Sequence, residues 1–159
     1  MRTTVVLAVV LLAATQSAMA ANANGNGALA LAALVSESSP QVSQAQKRVM
    51  AYLLNGNLAF NFPAGQKIKI AADKVVCRAS NVDISAHSCA LTFGSKTVNL
   101  QGRRAHELFA TVGEVGVQPD GAAGSVFEAL SHLDCTIDPN EVKQKAGSGA
   151  SCSFDPGAN

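Results

Sequence analysis

The side chains with the sharpest chemistry in this 159-residue chain are four cysteines, Cys77, Cys89, Cys135 and Cys152, and three histidines, His87, His106 and His132. A four-cysteine zinc site needs close Cys-x-x-Cys pairs, and none is present. The histidines show no His-x-His or His-x-x-x-His spacing. On a strand, Glu128, His132 and Asp134 would share one face and could hold a metal weakly, but that alternation is also what the solvated face of an antiparallel sheet looks like, and the latter is expected. His106 and Glu107 fall early in a helix, where exposure is the default. Ser88 and Ser125 stand near histidines without a Gly-x-Ser-x-Gly elbow. Ala146-Gly147-Ser148-Gly149 lacks the Lys-Ser/Thr that follows in a phosphate-cradling loop. No catalytic, metal-ligating or cofactor-binding set is therefore assigned, although a carboxylate pair assembled only by the fold stays open.

What the cysteines do depends on the compartment. Arg2, the apolar run Val5–Ala14 and the small-x-small triplet Ala18-Met19-Ala20 form a secretory signal over residues 1–20, cut after Ala20. In an exported chain an even set of cysteines reads as disulfides. Of the three pairings that four cysteines allow, Cys77–Cys89 and Cys135–Cys152 are expected, because each pair falls on two strands joined by a short excursion.

The charge balance is 12 Lys+Arg against 11 Asp+Glu. Loss of Arg2 with the signal leaves the mature chain formally neutral, which argues against a nucleic-acid partner. No Asn-x-Ser/Thr sequon is present, and no other apolar stretch approaches the roughly 20 residues of a spanning helix. A secreted or periplasmic location follows, with no membrane span and an oligomeric state left open. Lys67, Lys69, Lys74 and Arg78 concentrate positive charge on neighbouring strands, a candidate interaction surface for an acidic partner or anionic polymer. With no Trp and one Tyr, the chain lacks aromatic stacking platforms.

The elements behind these residues read as follows. Residues 21–39 are low in complexity, rich in Asn, Gly and Ser around an Ala-Leu patch, and are expected to be flexible and dispensable for folding. One domain is expected over 40–159. Ser39-Pro40 begins a helix over 40–54, ended by Asn55-Gly56. Alternation predicts strands at 58–62, 67–70 and 74–79, then a hairpin of 89–93 and 96–100 about Gly94-Ser95. A second helix spans about 103–115, followed by a loop over 117–124 built on Pro119-Asp120-Gly121. Residues 125–133 fit either period; a strand over about 129–137 is favoured, with Phe127, Ala129, Leu133, Cys135 and Ile137 on one face. A turn at 138–141 and a strand at 150–154 complete the chain.

The fold class is thus α+β: an antiparallel sheet of five or six strands, two helices on one face and two disulfide-stapled hairpins. A helix followed by strands and a cysteine pair occurs twice, which suggests a tandem helix-plus-hairpin repeat. In general plan this is similar to small tandem-repeat inhibitors of the β-lactamase-inhibitor type; the similarity is architectural and implies no particular residues. Three functions are compatible. The first is a small non-catalytic exported module binding a protein or extracellular polymer, in the manner of an inhibitor. The second is a small exported hydrolase whose site the sequence hides. The third is a self-associating envelope or matrix protein.

Overall fold

Along the strand formed by Ile68–Ser80 (β2), burial alternates as a half-covered strand requires: Ile68, Ile70 and Ala72 are buried, and so are Val75, Cys77 and Ala79. The change from even to odd numbering marks a slip of one residue at Asp73. Two predicted strands are therefore one continuous strand. The computed structural model describes residues 20–80, 83–117 and 125–157, with backbone alone at 125–128. The expected signal, up to residue 19, and the expected turn at Pro119-Asp120-Gly121 lie outside the described residues.

Five further strands are β1 (Ala21–Asn24), β3 (Ser88–Phe93), β4 (Lys96–Gln101), β5 (Ser125–Ile137) and β6 (Ala150–Pro156). All pair antiparallel, in the order β1-β6-β5-β2-β3-β4. The helices are α1 (Gly25–Ser38), α2 (Gln44–Leu54), α3 (Arg103–Glu114) and α4 (Pro139–Gln144), with a 3-10 turn at Ile84–Ala86. This is the expected α+β class. α1 and α3 lie side by side on one face of the sheet, and α2 packs on α1 and α4.

The largest correction concerns residues 21–39, which are not a flexible tail. Ala21–Asn24 pairs with β6, from Ala21 opposite Phe154 to Asn24 opposite Ser151. Gly25–Ser38 is a helix whose Ala28, Leu31, Ala32 and Val35 are at most marginally exposed, within the main core. The cause is local. Ala and Leu are strong helix formers, and a helix apolar nearly all round is stable once buried on several sides. The folded unit therefore includes residues 21–39 and is not confined to 40–159. Helix α2 likewise starts later than expected: Ser43 is its N-cap in a reciprocal capping box with Gln46, and Ser39-Pro40 forms the turn before it. The two helices on the sheet are consequently α1 and α3, not α2 and α3.

Residues 58–62 do not join the sheet. Their carbonyl groups are used by α4: Lys143 Nζ donates to the carbonyl of Phe60 at 2.6 Å and sits over its ring, and Asn140 donates to Phe62 and Pro63. On β5 the helix-side residues are Leu130, Leu133, Cys135 and Ile137. Ala129 is buried but lies outside the main core, because a bulge at His132 shifts the phase there.

The repeat is real at the level of topology. Exchanging β1 with β4, β2 with β5 and β3 with β6 returns the same strand order. Each half is strand, helix, hairpin, and the first strand of each half pairs with the last strand of the other. Cys77 faces Cys89, and Cys135 faces Cys152, so each hairpin carries one bridge. Each bridge abuts the helix of a sheet-covering pair: Cys89 Sγ lies 3.3 Å from the carbonyl oxygen of Ala105, and Cys152 Sγ 3.5 Å from that of Ala28. Gly25 and Gly102, both at positive φ, turn strand into helix at equivalent points. Leu31 then matches Leu108, and Val35 matches Val112, all four buried.

Candidate binding face

On an uninterrupted strand Lys69 would point to one face of the sheet and Lys74 and Arg78 to the other. The slip at Asp73 removes that difference. Lys69, Lys74 and Arg78 all project from β2 on the face opposite α1 and α3, back to back with Ile70, Val75 and Cys77. Asp73 itself is used locally, its carboxylate accepting the backbone N–H of Gly94 in the β3–β4 turn. Lys67, one residue before β2, lines a groove of about 300 Å³ with Asn24, Thr136 and Ser151 at the end of this face. The four basic residues singled out in the sequence thus share one surface, and the slip is the reason.

Around Lys69 and Lys74 the neighbours are short and polar, whereas Val76, between Lys74 and Arg78, lies beside Ala90 and Ala129. Lys69 sits beside Thr136, then Ser151, then Asn24; Lys74 sits between Ser131 and Thr92, with Thr97 beyond. Asp134 and Asp155 belong to the same face on β5 and β6. Asp155 is separated from Lys74 by Ser131, roughly 10 Å at the usual strand spacing. Asp155 is engaged by His132, whose Nδ1 lies 2.9 Å from its carboxylate. His132 holds φ 51, a rare value outside glycine that the bulge imposes.

Of the set Glu128, His132 and Asp134, only His132 and Asp134 have described side chains, and they part company. His132 turns to Asp155, the side chain of Glu128 is outside the described residues, and among the described residues no three His, Cys, Asp or Glu groups converge. Gly147, Ser148 and Gly149 line the same groove as Lys67, and at Gly149 the absence of a side chain is a steric requirement. A Cβ on Gly149 would stand 2.8 Å from both the Asp138 carbonyl oxygen and the Val142 nitrogen. The nearby carboxylates hold structure together: Asp138 caps α4 by accepting from the N–H groups of Asn140 and Glu141, and Glu141 accepts from the Ser148 hydroxyl.

Sequence reasoning missed one cluster. His87 is buried, and its Nδ1 stands 3.1 Å from Nδ1 of His106, the residue expected to be a plain surface group of α3. Phe109 closes on His87 edge-on at 5.9 Å. Nineteen positions separate the two histidines, so only the pairing of β3 with β4 and the turn at Gly102 bring them together. Beside them the carboxyl of Asp83 is held below the ordinary carboxylate range, first by the Ser85 hydroxyl and then by the Ser85 N–H; the His87 ring adds a smaller effect. No protein-family model matches the chain, and no curated protein or solved structure is significantly similar to it.

Proposed function

We propose that this protein is a small exported binding module that meets an anionic extracellular or envelope polymer through the face of its sheet opposite α1 and α3. Residues 1–20 direct export and are removed after Ala20, which leaves Ala21 as both the new N-terminus and the first residue of β1. The observation that carries the reading is the slip at Asp73, which brings Lys74 and Arg78 to the face of Lys69, with Lys67 at its end. Two cross-strand disulfides tie the strands beneath that face, a form of stapling suited to an oxidising compartment. Around Lys69 the face carries short Thr, Ser and Asn side chains, which set little steric obstacle to an extended partner, and lysines held on a stiff sheet lose less entropy on binding than lysines on a loop.

The test uses the mature protein and a K69E/K74E variant, with heparin and poly-glutamate as anionic probes. Binding should be salt-sensitive, as screening of exposed charges requires, and at least tenfold weaker in the variant. Equal binding by both proteins, or binding to neither probe at low salt, refutes the reading. Mass spectrometry of the exported protein should start at Ala21.

A further inference from the structure

The strongest unassigned arrangement is the pair formed by His106 of α3 and His87. We propose that His87 and His106 form a two-imidazole site for a divalent transition-metal ion of the nitrogen-preferring class, copper(II) ahead of zinc(II). The proposal stands independently of the basic face.

The first support is distance. Ions of this class bind imidazole nitrogen at about 2.0–2.1 Å, so two nitrogens 3.1 Å apart subtend roughly 100° at one ion, between square-planar and tetrahedral angles. The second is direction. The two Nδ1 atoms share a hydrogen bond, and ring centroids 4.9 Å apart show that it is bent, so both nitrogens turn toward one side, where an ion that displaces the shared proton would sit. The third is the proton. His87 Nε2 lies 3.1 Å from the carbonyl oxygen of Ser80, which can only accept, so Nε2 carries hydrogen and Nδ1 presents its lone pair. A ring nitrogen that donates to a backbone carbonyl while the other faces the ion is the usual support of a histidine ligand.

The frame is rigid. Gly102 donates its N–H to the carbonyl of His87 at 2.9 Å and accepts the N–H of His106 at 2.9 Å, so one residue ties both backbones. Its φ of 61 is a conformation that glycine adopts freely. The repeat shows that packing alone does not ask for imidazoles here. Where one half has His87 and His106, the other has Ala150 and Leu29, both buried and apolar. Among the described residues no third His, Cys, Asp or Glu completes the set, so water or a partner's donor fills the remaining positions.

The experiment titrates the mature protein with Cu²⁺ at neutral pH and follows it by electron paramagnetic resonance and calorimetry. One equivalent should bind with the signature of two imidazole nitrogens, at least tenfold more weakly in His106→Gln and unchanged in His132→Gln. In parallel, Zn²⁺ added to the unaltered protein should shift the ring resonances of His87 and His106 and leave those of His132 in place, a readout that needs no variant to fold. Binding that His106→Gln leaves intact, binding that His132→Gln removes, or Zn²⁺ shifts confined to other residues overturns the proposal.

Discussion

Replacing Leu31 with alanine tests the claim that the Asn- and Gly-flanked start of the chain is core. Leu31 is fully buried at the centre of α1, beneath the Cys135–Cys152 hairpin and beside α3. Deleting its side chain removes the transfer free energy of the lost carbons and leaves a cavity whose walls cannot fully close. Together these destabilise by about 3 kcal/mol. For a domain of this size that corresponds to a fall of about 10 °C in melting temperature. Leu108→Ala, at the equivalent position in the other half, should lose a similar amount. Leu54→Ala, on the exposed side of α2 at 45% exposure, should change stability by about 0.5 kcal/mol or less. A chain starting at Ser38 removes Leu29, Leu31 and Val35 together with β1. At about 1.5–3 kcal/mol for each buried side chain, the loss approaches the whole stability of an ordinary domain, about 5–15 kcal/mol. That chain should show no cooperative transition. The assay is thermal melting by circular dichroism under oxidising conditions. If Leu31→Ala melts within 2 °C of the parent and the shortened chain still melts cooperatively, α1 is not core and residues 21–39 do not belong to the folded unit.

Three further outcomes follow from particular contacts. Converting Cys135 and Cys152 to alanine opens a 17-residue separation and should cost about 3 kcal/mol in the chain-entropy model; the Cys77/Cys89 double variant, with a separation of 12, should cost nearly as much, both read from denaturant midpoints. Gly149→Ala brings a methyl against two backbone atoms at a positive φ and should destabilise well beyond Gly56→Ala, which meets open space and costs about 1 kcal/mol. Asp83 should titrate below the usual carboxylate range by NMR. Its folded value is lowered, so its contribution to the 3-10 turn is present above the unfolded value and fades as pH falls through the folded one; a Ser85→Ala variant should move the titration back up.

Much of the architecture was legible because short-range rules govern it. The hairpin at Gly94-Ser95 follows from turn chemistry, α3 from its apolar stripe, and the two bridges from cysteines on neighbouring strands. α1 was hidden because its flanks are Asn, Gly and Ser and its centre is too uniformly apolar to show a 3.6-residue period. Only burial against the sheet, α2 and α3 distinguishes such a segment from a low-complexity tail. The strand predicted at 58–62 failed for the opposite reason: its alternation is genuine, but Lys143 and Asn140 take up carbonyls there that a sheet would have used.

The residue types of the binding face and the histidine pair are written in the sequence, and their meeting is not. Alternation places Lys69 and Lys74 on opposite faces until one extra residue at Asp73 resets the phase, a long-range consequence of how β2 and β5 run together. His87 and His106 converge only because Gly102 turns β4 into α3 across the end of β3. By itself the sequence determined the class of fold, the bridges and the chemistry available. Tertiary structure decided which face that chemistry shares, because strand phase and helix placement are set by pairing between segments far apart in the chain, and no local pattern encodes that pairing.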